Sequence, residues 1–199
     1  MAAIDVEILK VRAVISAWAT QQGIQPPTTT DNNLKTTSAF QDLGDKMRSG
    51  GDHAIVAREL IQRIRLTRSA KLGIKDPGEE PVRPDGVRRA YLIDSIRHPA
   101  EVELLRRIYQ ESFVLVGIVC DAKVRLQRIT AKYSNAGVAD AEVFMARDSR
   151  AKEKYGQRVL DAFHMADFFV DNTDLSISTE SRMRNGISPS PKKPENIDD

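Results

Sequence analysis

Asp94, Ser95 and Arg97 directly follow an apolar run, Ala90-Tyr-Leu-Ile, and precede Pro99. A carboxylate at the end of an apolar strand suits a magnesium-binding or acceptor-activating role in phosphoryl transfer, where catalysis is mainly positioning and charge neutralisation. The same carboxylate, or the Ser95 hydroxyl, reads equally well as a cap for a helix starting near Pro99. Arg97 has the planar fork that can clamp a phosphate through two hydrogen bonds. Arg125, Arg128, Arg147 and Arg150 fall where a mobile, arginine-bearing lid would lie. Each arginine taken alone also reads as a surface ion pair, Arg147 with Asp148 or Glu142 for example.

Other polar residues carry less. His98 beside Pro99 reads as a capping or surface group rather than a general base, and His53 and His164 lie on helical stretches with no visible partner. Cys120 ends an apolar run and reads as buried and inert. Met145, Met165 and Phe163 are core candidates, and Trp18 is placed to cover a sheet. No Gly-x-x-x-x-Gly-Lys-[Ser/Thr] loop occurs, so the backbone nest that cradles nucleotide phosphates has no representative in the sequence. No His-x-Glu with Pro-Cys-x-x-Cys occurs either, so no deaminase zinc site and no other metal site is expected.

The elements that must position these residues follow from periodicity. Residues 4–9 alternate apolar and acidic side chains, as in a half-buried strand near a sheet edge. Val11, Val14, Ile15 and Trp18 then fall at helical spacing, and Gly23 is a stop before Pro26-Pro27. Residues 25–38 are rich in Thr, Asn and Pro and read as an irregular connection. A short helix over 40–47 breaks at Ser49-Gly50-Gly51, and Asp52 caps a long helix carrying Ile55, Val56, Leu60, Ile61 and Ile64. Residues 72–86 read as a loop leading to a strand over 90–94. Pro99 opens a crossover helix whose buried stripe is Val102, Leu105, Ile108 and Tyr109. A second strand covers 113–119, and Asp121 caps an amphipathic helix with Val124, Leu126, Ile129 and Tyr133. A polar segment spans 135–156, then come a helix with Val159, Leu160 and Phe163 and a last strand over 167–171. The pattern β-α, helical insertion, β-α-β-α-α-β argues for an α/β fold: a three-layer α/β/α arrangement on a short parallel sheet covered on both faces.

Composition bounds the rest. The chain has 199 residues, is 41% hydrophobic and carries a formal charge of +2, which suits one domain over 1–172 with a disordered polar tail over 173–199. Near-balance of charge argues against dedicated nucleic-acid binding, although the arginines gathered between 58 and 107 suit an anionic ligand such as a nucleotide. A single cysteine excludes an internal disulfide and points to a reducing compartment, with cytoplasm the default. No apolar run approaches the ~20 residues that span a bilayer, so no membrane partner is expected.

The runs Phe40-Gln-Asp-Leu-Gly-Asp-Lys-Met-Arg48, Ala57-Arg-Glu-Leu-Ile-Gln-Arg-Ile64, Arg89-Ala-Tyr-Leu-Ile-Asp-Ser-Ile-Arg-His-Pro-Ala-Glu-Val-Glu-Leu-Leu-Arg107, Arg147-Asp148, Gly156-Gln157 and Ala166-Asp-Phe-Phe-Val-Asp-Asn172 resemble the nucleotide-kinase-like domain of bacterial antiphage deoxycytidylate deaminases. The likeness covers roughly residues 4–172. In that family a P-loop kinase-like domain precedes a zinc-dependent deaminase domain that destroys the deoxycytidine nucleotide pool during infection. The sequence starts at what looks like the family's second strand, and the polar residues after Asn172 stand where the deaminase domain would begin. The resemblance therefore implies a truncated relative that keeps the kinase-like scaffold and lacks both nucleotide-chemistry motifs. It places Asp94 and Arg97 at the scaffold's second-acid and substrate-arginine positions.

The expectation that follows is a catalytically incomplete module acting in nucleotide sensing, binding or homo-oligomerisation. ATP and magnesium enter only if the kinase-like site functions. A small-molecule or nucleotide kinase with an atypical phosphate site, and a non-catalytic interaction module, are the alternatives. With the first strand absent, the strands over 91–94 and 113–119 are expected to pair directly in a four-stranded 2-3-4-5 order, because unpaired buried backbone groups cost about 1 to 3 kcal/mol each.

Overall fold

A computed structural model of the chain describes residues 4–28, 33–78, 81–133, 137–149 and 156–173. It is a mixed α/β structure in which helices flank short parallel strands. β1 (Asp5–Lys10) passes without a loop into α1 (Val11–Gln21), which ends where Gly23 takes φ +70°. The Thr/Asn-rich segment turns helical earlier than its composition suggests. The Asn33 side chain accepts from the Thr36 backbone N–H at 2.7 Å, and this cap starts α2 (Leu34–Arg48) within the stretch read as irregular. Asp52 sits two residues ahead of the Ala54 cap of α3 (Ile55–Lys71), accepting from Ala54 N–H and from Arg58.

Leu9, Val11, Ile15, Phe40, Met47, Val56, Leu60 and Ile64 form the main core, with Trp18, Tyr91 and Ile93 packed against it. Each fully buried aliphatic side chain contributes roughly 1.5 to 3 kcal/mol relative to exposure. That core covers one face of the sheet formed by β1 and β2 (Arg89–Asp94), which pair in parallel from Asp5 opposite Arg89 to Lys10 opposite Asp94. The other face of the same sheet presents Val6, Ile8 and Leu92 as exposed side chains.

α4 (Pro99–Tyr109) buries Glu101, Val102, Leu104 and Leu105, while Ile108 is 52% exposed and does not belong to the buried stripe. A single 3-10 turn over residues 110–112 absorbs the start of the next apolar run, so β3 is only Val116–Val119. Asp121 accepts from the Lys123 and Val124 N–H groups and starts α5 (Ala122–Lys132) as its sequence suggests. The segment read as polar contains a helix, α6 (Val138–Ser149), anchored by buried Ala141 and Phe144. Phe144, not Met145, fills the core there, in a small cluster with Leu34 and Tyr133. α7 (Val159–Phe163) buries Ala162 and leads to β4 (Phe168–Asp171).

Pairing of residues 91–94 with residues 113–119 does not occur. β2 is hydrogen-bonded to β1, β3 to β4, and the two parallel pairs are separate sheets. α4 explains the separation. Leu104 and Leu105 pack with Ile93 of β2, with Ile96 beyond it, and with Phe113 ahead of β3. From the same helix, Arg106 donates to the Met165 carbonyl and to Asp167 at 2.5 and 2.6 Å, just before β4. Asp167 in turn is knitted to Leu115 through backbone and side chain. Closing the gap would mean dragging one half-sheet off a helix that is itself locked in place.

Candidate functional site

That lock is a buried ion pair. Arg48, at the end of α2, donates through Nε and Nη2 to Oε1 of Glu101 at 2.9 and 2.6 Å, and both residues are at most 2% exposed. The second carboxylate oxygen, Oε2, accepts from the backbone N–H groups of Arg97 at 3.0 Å and His98 at 3.2 Å. His98 completes a capping box, its Nδ1 accepting from Ala100 N–H at 3.2 Å, so its role is that of a cap, as read from Pro99. Glu101 therefore has a full set of donors, the condition under which a buried carboxylate is tolerated.

The turn between β2 and α4 is shaped by this pair. Ser95 has φ +84°, a left-handed conformation costing of order 1 to 3 kcal/mol for a residue with a Cβ. Its hydroxyl donates to Asp94 Oδ1 at 3.0 Å, so Ser95 steadies the carboxylate. Arg97 is pinned at three points. Its N–H reaches Glu101, its Nη1 donates to Gln157 Oε1 at 2.7 Å, and its carbonyl accepts from Arg158 N–H at 3.0 Å. Gln157 is itself buried at 1% exposure.

These residues open on a cavity of about 1010 Å³ at the carboxyl ends of the strands. Asp94, Ser95 and Arg97 line it from one side, with Cys120, Arg125, Arg128 and Asn172 from the other. Among the described residues its walls also carry Lys10, Arg12, Lys132 and the Glu101-paired Arg48, so six cationic side chains besides Arg48 meet one carboxylate, Asp94. Cys120 lines this cavity and is half-buried, with Arg128 Nη1 at 3.6 Å from its Sγ, so it is not the sealed core residue suggested by its apolar run.

A tyrosine in the wall registers the positive charge. Burial pushes the Tyr133 phenol up, but its hydrogen bond with Thr37 and the charges of Lys132 and Arg12 outweigh this and hold it below its usual value. Arg12 also donates to the Thr37 hydroxyl at 3.1 Å, linking α1, α2 and the end of α5 around the cavity. The structure thus brings Asp94, Ser95, Arg97, Arg125 and Arg128 to one place.

Arg147 is elsewhere. It reaches from α6 to Asp42 at 2.6 Å and Asp45 at 3.2 Å on α2, so its partners lie across a helix interface rather than beside it in sequence. Arg150 lies outside the described residues, as do residues 174–199 of the expected tail. Lys10, Arg12, Lys132, Gln157 and the Arg48–Glu101 pair were not singled out as site residues in the sequence. Only Glu101 carried a local signal, three positions after the His98 cap.

Among the described residues no cluster of three or more His, Cys, Asp or Glu side chains could hold a metal ion. No helix among them is long and apolar enough to cross a membrane. No family model matches the chain. Over 118 residues it is 35% identical to a UPF0200/UPF0201 protein of Archaeoglobus fulgidus, a stretch that makes up 59% of this chain and 34% of that protein, so the chain spans about a third of the relative's length.

Proposed function

We propose that this chain is a nucleotide-kinase-like module, of the type found in antiphage deoxycytidylate deaminases, that binds a phosphate-bearing nucleotide in the cavity between its half-sheets without completing phosphoryl transfer. The observation that carries this reading is that, among the described residues, six cationic side chains besides the Glu101-paired Arg48 and one carboxylate, Asp94, line a cavity at the carboxyl ends of parallel strands, where open α/β sheets bind ligands. Arg97, held by Glu101 and Gln157, is the preorganised phosphate contact, and Arg125 and Arg128 supply charge from the opposite wall. Asp94 and Ser95 offer one carboxylate and one hydroxyl, a donor set that suits magnesium only when substrate phosphates complete the shell. The three-layer, P-loop-kinase-like arrangement belongs to the same proposal, supported by the crossover from β2 through α4 to β3.

Isothermal titration with deoxycytidine, dCMP and ATP, with and without magnesium, tests the reading. Micromolar binding of the nucleotides, weakening with added salt and falling at least tenfold for the phosphate-free nucleoside, is the expected result. Absence of heat at millimolar nucleotide would overturn it. Phosphoryl transfer or ATP hydrolysis by the purified chain would replace it with the kinase alternative.

A further inference from the structure

The strand β1 turns its acidic side toward the helices. Asp5 and Glu7 lie on the covered face of the β1–β2 sheet, where Lys71 Nζ of α3 is 2.5 Å from Asp5 Oδ2 and 3.4 Å from Glu7 Oε2. Ile4, Val6 and Ile8 alternate with these acids and point the other way, and the parallel register sets Ala90 opposite Val6 and Leu92 opposite Ile8. Ile4, Val6, Ile8 and Leu92 are each 58% or 59% exposed, and no described element covers them. A lone exposed aliphatic residue is ordinary, but a contiguous row across two paired strands marks an interaction surface. Parallel strands, moreover, are ordinarily buried on both faces.

We infer that this face packs on the same face of a second copy of the chain, about a two-fold axis that runs parallel to the strands. Charge complementarity selects the occupant. Lys10 and Asp94 are register partners at the carboxyl end of the two strands, both exposed and both on the outward side. A two-fold axis along the strands lays β1 of each copy over β2 of the other with all strands running the same way, the aligned arrangement of packed sheets. Val6 and Ile8 then meet Leu92 of the second copy, and Lys10 meets its Asp94, with the reverse contacts formed in return. An axis across the strands would instead set each charged end on the apolar end of the other copy, around Ile4, and cover both charges without a partner. Two strands of six residues offer a smaller patch than the about 800 Å² per partner of a standard interface, so the dimer should form only at high micromolar concentrations. The inference does not rest on nucleotide binding, whose assigned arginines, Arg97, Arg125 and Arg128, lie outside β1 and β2.

Sedimentation equilibrium of the full chain tests this with three variants, each checked for folding by its melting curve. The double variant Val6→Thr, Ile8→Thr keeps β-branched side chains in the strand and removes the apolar contact, and it should dimerise at least tenfold more weakly than wild type. Lys10→Asp and Asp94→Lys, each alone, set like charges against each other across the two-fold axis and should weaken self-association. An equimolar mixture of those two chains restores both opposite pairs, so the mixture should associate at least fivefold more tightly than either component. Wild type that stays monomeric at every concentration would overturn the inference and leave the face to a different partner. Dimerisation unchanged in the threonine variant, or a mixture no tighter than its components, would overturn it as well. Nucleotide titration of the threonine variant keeps the two proposals apart, since neither Val6 nor Ile8 lines the cavity.

Discussion

Arg48 and Glu101 meet through two hydrogen bonds to a single oxygen, leaving the other carboxylate oxygen to hold the main chain of Arg97 and His98. One buried pair thereby joins α2 to α4 and sets the turn that carries Asp94, Ser95 and Arg97.

Removing one partner should be far worse than removing both. Arg48→Met leaves the buried Glu101 carboxylate without its cation and should cost about 3 to 5 kcal/mol, whereas Glu101→Leu leaves Arg48 its 3.4 Å contact with Asp45 and should cost less. The double variant should recover a large part of that loss in urea unfolding. Additive losses in the double-mutant cycle would show that the two residues act separately.

Arg147 separates the lid reading from the helix-bridge reading. Its charges are satisfied by Asp42 and Asp45, so Arg147→Ala should leave nucleotide affinity within twofold and lower stability by about 0.5 to 1 kcal/mol, as partly exposed pairs do. Arg97→Ala should reduce affinity at least tenfold. Titrating both variants checks this, and the reverse ranking would restore Arg147 to the site.

Tyr133 should report the field of the cavity. Because its hydrogen bond with Thr37 and the nearby cations hold its phenol below the usual tyrosine value, while burial raises those of Tyr91 and Tyr109, Tyr133 should ionise before those two in ultraviolet titration. Tyr133→Phe should abolish that step. The sign for stability follows from the lowered folded value: Tyr133 adds stability only as pH rises through its folded pKa, so wild type should gain relative to Tyr133→Phe in alkaline solution. A bound phosphate should move the step upward by neutralising Arg12 and Lys132. A step unmoved by saturating nucleotide would place the ligand outside this wall.

Gly117 is required by close approach rather than by its torsion angles. A Cβ there would lie 2.8 Å from Phe169 Cδ1 and 2.9 Å from Phe163 Cε2. Gly117→Ala should therefore cost about 1 to 3 kcal/mol, as overpacking does. A melting temperature equal to wild type would show that the two rings move aside freely.

Much of this arrangement is written locally. The strand ending in Asp94, the proline opening α4 and the Asp121 cap of α5 each depend on a few adjacent residues, and the structure places them where those residues indicate. α6 has a weak sequence signal because, among its side chains with described burial, Ala141 and Phe144 alone are buried, among charges and an exposed Val143, which blurs helical periodicity. α2 began early because a single Asn33 cap outweighed a composition typical of loops. The separation of β2 from β3 has no local signature at all. It depends on Arg106 meeting Asp167, a pair 61 positions apart, and on where two helices cross.

Cys120 has a consequence for experiment. The chain has one cysteine, and that thiol lines the cavity beside Arg128. A thiol-directed fluorophore or spin label thus attaches at a unique position without any background substitution. Its emission or mobility would read occupancy of the cavity in real time, and a distance from it to Trp18, the single tryptophan, would measure how far the half-sheets move apart or together as the cavity fills.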